Sequence, residues 1–181
     1  MPESPEPADS QLMERTAAGD REAFATLIRR HQTPVLSVAY RFLGDREEAE
    51  DAAQSVFLRL WESSKRYRPD APLPAYLRTL TVNLCLDMRR KAHPLPLDGA
   101  GEPPGGDDPL ANTEARERRR ALDRAMASLA PAQRMAVVLF HMEGLSVREV
   151  ADLLDTTPKA VESILSRART ALRERLAGVL R

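Results

Sequence analysis

The chain has 181 residues, of which 43% are hydrophobic and 30% are charged, a composition typical of one folded domain or two small ones. It contains no run of about 18 apolar residues, so we expect no membrane insertion. The single cysteine, Cys85, excludes an intrachain disulfide, and the three dispersed histidines give no metal-ligand spacing. We therefore expect no metal, no cofactor and a cytoplasmic location.

The formal net charge is zero, but the charges are segregated along the sequence. Residues 45–62 hold six acidic and two basic side chains. Residues 65–91 hold seven basic and two acidic side chains, and residues 158–181 hold six and two. This pattern predicts one acidic surface and two basic ones, although ordinary solvated helix faces would give the same counts.

Two segments are expected to lie outside any packed core. Residues 1–10 are acidic and rich in proline, and we predict that they are disordered. Residues 93–112 contain five prolines, four glycines and four acidic residues but no basic one. This composition predicts a flexible linker at 92–113, which separates a first domain at 11–91 from a second at 114–181.

The first domain is predicted to be helical throughout, since apolar residues recur at spacings of three and four. Gly19 and Asp20 end one helix and cap the next, and Gly44 and Asp45 repeat this device, with Glu48 as the capping-box partner. One face of the following helix is apolar and includes Ala49, Ala52, Ala53, Val56, Phe57 and Leu60. A last helix runs from Pro74 to about Lys91 and is expected to bury Leu77, Leu80, Leu84 and Met88.

The second domain is predicted to have four helices, so the fold class is all-α with two small domains. The first of these helices is expected to bury Leu122, Met126 and Leu129, and Pro131 begins the next. A short helix capped by Ser146 and Glu149, a turn at 155–157 and a long helix from Pro158 then form a helix-turn-helix.

The long last helix has an apolar face and a polar face. Val161, Ile164, Leu165, Ala168 and Leu172 form the apolar face. Short polar side chains on the other face would let the backbone approach a DNA groove closely. Basic side chains there could reach phosphates or guanine edges, and a carboxylate could accept a hydrogen bond from cytosine. These residues are Thr157, Lys159, Glu162, Ser163, Ser166 and Arg167. The alternative is a plain helical hairpin whose polar side faces water.

Four motifs occur in one order across residues 12–178 and together point to a known family. They lie at 19–24 with 50–61, at 76–90, at 129–151 and at 160–173, and they include Asp51, Gln54, Phe57, Trp61, Tyr76, Asn83, Arg90, Pro131, Ser146 and Arg167. In this arrangement the chain resembles an extracytoplasmic-function sigma factor of the sigma-70 family. Tyr76 stands where many members have tryptophan, and the start of the last helix departs from the commoner form.

The resemblance implies that the first domain binds the clamp helices of the largest subunit of core RNA polymerase. The exposed side of the acidic helix would make this contact through Asp51, Gln54, Leu58 and Glu62. The resemblance further implies capture of a melted −10 promoter element, with a flipped base held near a basic, aromatic segment. The residues assigned to this contact are Lys65, Arg66, Tyr67, Arg68, Tyr76, Thr79, Asn83 and Arg90, whereas Asp87 is expected to pair with Arg90 or Lys91.

The second domain would bind the −35 element through its helix-turn-helix and the polymerase flap through its apolar edge. An anti-sigma factor is implied as a further partner. Catalysis is not expected, because no nucleophile, base and acid occur together. The rival interpretations are a helix-turn-helix regulator that acts without core polymerase and a helical adaptor with no DNA role.

Overall fold

The computed structural model describes residues 7–68, 71–92 and 113–177. Within these ranges the protein is all-α, as predicted. Disorder was predicted for residues 1–10, but Asp9 and Ser10 lie in the first helix, and the Asp9 carboxylate forms an ion pair with Arg30. The expectations for residues 1–6 and for most of the linker lie outside the described residues. The first domain contains α1 (Asp9–Ala17), α2 (Arg21–Leu43), α3 (Arg46–Ser63), a 3₁₀ turn (Ser64–Arg66) and α4 (Leu73–Ala92). The second contains α5 (Thr113–Ala127), α6 (Pro131–Val137), a π-helix (Val138–Met142), α7 (Val147–Leu153) and α8 (Pro158–Leu176).

Side-chain caps fix where the helices begin. The Asp20 carboxylate accepts hydrogen bonds from the N–H groups of Glu22 and Ala23, and Thr157 accepts from Ala160 at the start of α8. Ser146 and Glu149 form the predicted reciprocal capping box at α7, with the Ser146 N–H 2.8 Å from the Glu149 carboxylate. The bonds from Ser146 lower the pKa of Glu149 below its ordinary value, because they stabilise the ionised carboxylate.

The capping box predicted at α3 is only half formed. Asp45 accepts from the Glu48 N–H at 2.9 Å, as expected for the N-cap residue. The Glu48 carboxylate does not reach back to the cap and instead accepts from the Arg89 guanidinium of α4 at 2.9 Å. A charged partner on a neighbouring helix gives a stronger hydrogen bond than a backbone amide, so this contact ties α3 to α4.

The first domain is built around α2, which contacts α1, α3 and α4. The six apolar positions predicted on α3 face this core, with Ala53 only half buried. On α4 the predicted burial of Leu77 and Leu84 is observed, but Leu80 and Met88 are half buried, and the core instead receives Thr81, Val82 and Cys85. Thr81 tolerates burial because its hydroxyl donates to the Leu77 carbonyl at 2.7 Å.

The second domain is organised around α8, which contacts α5, α6 and α7. Met126 and Leu129 are buried as predicted, but the expected burial of Leu122 is wrong, since this side chain is 38% exposed. The small side chains Ala121 and Ala125 take the inner face of α5 instead. Small residues allow two helices to approach closely, and this approach turns Leu122 outward.

The helix-turn-helix has the predicted order, with α7, a tight turn and α8. Asp155 in the turn adopts a left-handed backbone conformation with φ of +49°, which an aspartate tolerates better than most residues. Val161, Leu165 and Ala168 are buried on the inner side of α8, and Ile164 and Leu172 are half buried beside them.

The two domains also pack against each other, which the sequence pattern did not predict. α6 contacts α4, the π-helix contacts α2, and buried residues of both domains form one continuous core cluster. No helix in the described part of the chain has the length and apolar character needed to cross a bilayer. Over the same residues, no cluster of three or more His, Cys, Asp or Glu side chains is placed to hold a metal ion.

Candidate nucleic-acid and polymerase interfaces

The acidic face of α3 is formed by the side of the helix that points away from the core. Asp51, Gln54, Leu58 and Glu62 are all exposed, and Leu58 is 61% accessible to solvent. The opposite side of α3 is anchored, in part by Trp61, whose ring lies 5.0 Å from that of Phe24 between centroids. The structure therefore presents the four predicted polymerase-contact residues on one rigid surface with an exposed leucine among acidic and polar groups.

A cavity of about 470 Å³ opens where the 3₁₀ turn meets the start of α4. Four of the residues predicted to capture a flipped base line it together. The complete lining described is Ser63, Arg66, Tyr67, Arg68, Ala71 and Tyr76. Two guanidinium groups and two aromatic rings in one open cavity can stack on a nucleobase and neutralise its phosphate. Lys65 is exposed on the same turn but does not line the cavity.

The rings of Tyr67 and Tyr76 meet edge to face, with centroids 5.3 Å apart and planes inclined by 64°. The Tyr67 hydroxyl donates to the Ala71 carbonyl at 3.2 Å. The Tyr76 hydroxyl lies 3.2 Å from the Ser63 hydroxyl, whose own proton is directed to the Leu60 carbonyl. Tyr76 is therefore the donor to Ser63, and this bond fixes the ring relative to the end of α3.

Ser63 is a site residue that the sequence pattern missed. No spacing pointed to it, because it closes α3 and meets Tyr76 only through the fold. The one available signal was Tyr76 itself, because its hydroxyl has no counterpart in the tryptophan that is commoner in the family. A half-buried hydroxyl needs a hydrogen-bond partner, so the tyrosine indicated a polar residue nearby.

We expect Ser63→Ala to lower the rate of open-complex formation about two- to fivefold, the cost of one neutral hydrogen bond. In a Tyr76→Phe background the same change should have no further effect, because the partner hydroxyl is already gone. Open-complex formation on a fluorescent promoter measures both arms of this double-mutant cycle. An equal loss in the two backgrounds would mean that Ser63 acts independently of Tyr76.

The rest of the predicted −10 surface runs along α4. Thr79 and Asn83 are exposed on the helix beyond the cavity, whereas Arg90 lies 14 residues past Tyr76, or ~21 Å along the axis. Arg90 is exposed and forms an ion pair with Asp87, which confirms the predicted structural pairing of Asp87. An exposed ion pair of this kind contributes little to the free energy of folding, so a DNA phosphate could replace Asp87 as the partner of Arg90.

All six residues predicted to contact the −35 element are exposed on α8 or at its cap. The Thr157 hydroxyl caps the helix, so its contact with a phosphate would be made alongside the free amides of the first turn. The Arg167 Nε–H lies 3.4 Å from the Ser163 carbonyl, a long hydrogen bond that keeps the guanidinium along the helix surface. The polar face is thus presented as predicted, next to a cap that begins the helix at Pro158.

Comparison with known proteins matches two families to this chain. The model of Sigma-70 region 2 matches residues 27–94, and that of Sigma-70 region 4 matches residues 119–172. The ECF RNA polymerase sigma factor SigM of Mycobacterium tuberculosis (strain ATCC 25618 / H37Rv) is 36% identical over 97% of this chain and 87% of its own length. The sigma factor SigE of Mycolicibacterium smegmatis is 34% identical over 96% of this chain and 70% of its own length.

A solved structure of the sigma factor CnrH, in complex with the cytosolic domain of CnrY, is similar over both domains. It is 26% identical, has a TM-score of 0.65, and is aligned over 95% of this chain and 99% of CnrH. The family matches cover the two predicted domains in the order of the family, and the relatives span nearly the whole chain. The chain therefore belongs to the extracytoplasmic-function sigma factors of the sigma-70 family, and it directs RNA polymerase in transcription initiation.

Proposed function

We propose that the first domain, residues 11–91, binds core polymerase and the melted −10 element, and that the second, residues 114–181, binds the −35 element. The observation that carries this proposal is the cavity at the start of α4, where Arg66, Arg68, Tyr67 and Tyr76 converge. The exposed stripe of Thr79 and Asn83 extends this surface along the same helix. A helix-turn-helix regulator that binds only duplex DNA has no need of such a cavity.

The acidic face of α3 is proposed to bind the clamp helices of the largest polymerase subunit. Leu58 supports this assignment because a leucine that is 61% exposed gains hydrophobic free energy when an interface buries it. Asp51, Gln54 and Glu62 surround it with acidic and polar groups that complement a basic coiled coil. The polar ring would orient the contact, and the leucine would supply its affinity.

The −35 contact is proposed for Thr157, Lys159, Glu162, Ser163, Ser166 and Arg167. Their common exposure on one side of α8 supports entry of this helix into the major groove. The exposed Leu122 and Met142 give the second domain apolar surface with which it could bind the polymerase flap. The linker at 92–113 is proposed to connect the two DNA contacts across the polymerase.

We also propose that the sigma factor works in the cytoplasm, has no enzymatic activity of its own and is controlled by an anti-sigma factor. The similar CnrH structure contains the cytosolic domain of CnrY, and that structure supports the last point by analogy. The chemistry of transcription would be supplied by core polymerase, to which the sigma factor contributes promoter selection and strand separation.

Adding the purified full chain to core polymerase and a promoter library tests the proposal. We expect promoter-specific transcripts only when both proteins are present, since the chain needs core to place its two DNA contacts. A regulator that acts without core would bind duplex sites tightly by itself and would give no transcripts. A helical adaptor would show weak, salt-insensitive binding to DNA even with core present.

Measuring open-complex formation and core affinity with the same proteins tests whether α4 acts in strand separation. Asn83→Ala should lower open-complex formation about tenfold, the discrimination of a single base contact, and leave core affinity unchanged. Gln32→Ala, which removes an exposed amide side chain on α2 away from the cavity, is the control and should alter neither step. Parallel losses of core affinity and melting in the Asn83 variant would assign it a structural role.

A further inference from the structure

Helix α1 contacts both α2 and the 3₁₀ turn at the end of α3. Its inner face buries Leu12, Met13 and Thr16, each no more than 2% exposed. The 3₁₀ turn contains Arg66 and leads directly into Tyr67, and both residues line the cavity at the start of α4. One wall of this cavity is therefore packed against α1.

The 3₁₀ turn has little internal support of its own. It is three residues long and is closed by a hydrogen bond from the Tyr67 N–H to the Ser64 carbonyl at 3.2 Å. Hydrogen bonds of 3₁₀ geometry are poorer than those of an α-helix, so this bond alone fixes the turn weakly. Ser64 is buried, whereas Arg66 is exposed. The position of Arg66 in the cavity wall therefore depends on the helices against which the turn packs.

Asp9 occupies a position of α1 that belongs to the buried side of the helix. Asp9, Leu12, Met13 and Thr16 follow one another at i, i+3, i+4 and i+7, which is the spacing of one helix face. The Asp9 side chain is only 27% exposed. A carboxylate with so little access to water needs hydrogen-bonding or charged partners, because its burial is otherwise unfavourable.

Two side chains of α2 supply these partners. Arg30 donates from Nη1 to the Asp9 carboxylate at 3.0 Å, and His31 Nε2 lies 2.8 Å from the other carboxylate oxygen. Since a carboxylate only accepts, Nε2 is the donor of this bond. Arg30 also donates to the Pro7 carbonyl at 2.7 Å, just before the helix begins. These bonds, which we call the Asp9 clamp, attach the first turn of α1 to the middle of α2.

The other end of α1 is attached less firmly. Arg15 forms an ion pair with Asp20 at 2.7 Å, but these side chains are 52% and 32% exposed, and exposed pairs contribute little. In the Asp9 clamp, the Arg30 and His31 side chains are only 24% and 12% exposed. Since α1 spans nine residues, or ~13 Å, release of its first turn would displace the inner face that packs against the 3₁₀ turn.

We propose that Asp9 is a positioning residue for capture of the −10 base. Through Arg30 and His31 it holds α1 against the 3₁₀ turn, and α1 in turn holds the cavity wall that carries Arg66. Asp9 acts through the fold and not by contact with DNA. The effect on base capture rests on the proposed function of the cavity, whereas the support of the turn by α1 does not. The polymerase face of α3 is held by α2 and α4, so release of the clamp should leave core binding unchanged.

Three substitutions on α1 of the full chain test this role. Asp9→Asn removes the charge and keeps the size of the side chain, but an amide offers a single oxygen, so Arg30 or His31 loses its acceptor. Asp9→Glu keeps both the charge and the two oxygens. Glu14→Gln makes the same charge change as Asp9→Asn on the exposed side of the same helix and is the matched control.

Amide hydrogen exchange of the free chain measures the support of the turn without DNA. The N–H groups of Ser64 and Tyr67 donate to backbone carbonyls, so their exchange reports opening of the turn. In Asp9→Asn they should exchange about tenfold faster, the effect of losing one hydrogen bond to a charged group. The amide of Cys85 in the buried part of α4 should keep its rate, whereas a general loss of stability would accelerate all three.

A fluorescent base analogue, 2-aminopurine, in the −10 element of a promoter measures base capture with saturating core polymerase. Asp9→Asn should slow capture about three- to tenfold and leave the affinity for core unchanged. Asp9→Glu should recover most of this loss, because it restores an acceptor for each donor. Glu14→Gln should change neither capture nor core affinity.

Unchanged exchange of the Ser64 and Tyr67 amides in Asp9→Asn would overturn the support of the turn by α1. Faster exchange with an unchanged rate of base capture, or an equal loss of capture in Glu14→Gln, would overturn Asp9 as a positioning residue. If the original chain gave no 2-aminopurine signal with core and promoter, the proposed function of the cavity would fail. The exchange rates of the free chain would still decide whether α1 supports the turn.

Discussion

Replacing Lys159 and Arg167 together by alanine is expected to reduce initiation from a −35-dependent promoter by about 30-fold or more. Each lost contact to a phosphate or a guanine edge removes ~1–3 kcal/mol of binding free energy, and ~1.4 kcal/mol is a tenfold change. Both side chains are exposed on the outer side of α8, so their removal leaves the packing of Val161, Leu165 and Ala168 intact. Run-off transcription with saturating core polymerase measures the loss.

The matched control replaces Arg173 and Arg175, two exposed arginines near the other end of α8. This variant loses the same net charge, but its altered residues lie ~20 Å or more from Lys159 along the helix. It should retain most of the activity. An equal loss in both variants would mean that α8 contributes only general positive charge, and the assignment of its N-terminal half to the −35 element would be wrong.

Salt dependence separates the two kinds of contact that Lys159 and Arg167 can make. Loss of two phosphate contacts lowers the slope of log affinity against log salt by about two and weakens all sequences equally. Loss of a base contact leaves the slope nearly unchanged and relaxes the preference at one position of the −35 element. Titrations on a set of −35 variants therefore identify which residue reads a base.

The second large effect is expected in the core of the first domain. Leu27 on α2 is completely buried, and Leu27→Ala should lower the free energy of unfolding by ~2–5 kcal/mol through lost burial and the cavity that remains. For a small domain this loss is a large fraction of total stability. Urea denaturation followed by circular dichroism measures the change.

Leu58→Ala makes the same chemical change on the surface, where we expect unchanged stability and a lower affinity for core polymerase. Its unfolding free energy should stay within about 0.5 kcal/mol of the original chain, because the side chain is already in solvent. Its affinity for core polymerase should fall about 10-fold, because burial of a leucine side chain contributes ~1.5 kcal/mol or more and ~1.4 kcal/mol is a tenfold change. A stable Leu58 variant that bound core normally would remove this leucine from the proposed polymerase contact.

Local signals allowed much of the fold to be predicted. Asp20, Asp45 and Ser146 were predicted as caps, and each accepts a backbone hydrogen bond at the start of a helix. Caps are reliable because they depend only on a few residues on either side. The exposure of the polar face of α8 was predicted for the same reason, since periodicity within one helix is also local.

Features that depend on distant partners were missed. Glu48 satisfies the spacing of a capping box, but its partner is Arg89, 41 positions away. Leu122 has the spacing of an inward residue, yet contact with α8 turns Ala121 and Ala125 inward instead. Arg41 of α2 pairs with Glu143, 102 positions away, and Arg134 of α6 lies over the Phe42 ring. Charged residues so far apart in the sequence carry no local signal of a contact between the domains.

The order in which the cores are completed has a consequence for synthesis of the chain. Helices α1–α4 pack on one another through residues that all precede position 93, so this domain can fold before α6 exists. At ~5–20 residues per second, about 3–10 seconds separate translation of α4 from that of the π-helix. During that interval the nascent first domain presents the end of α2 without its α6 and π-helix neighbours, so the proposed polymerase face on α3 is formed before the second domain can pack beside it.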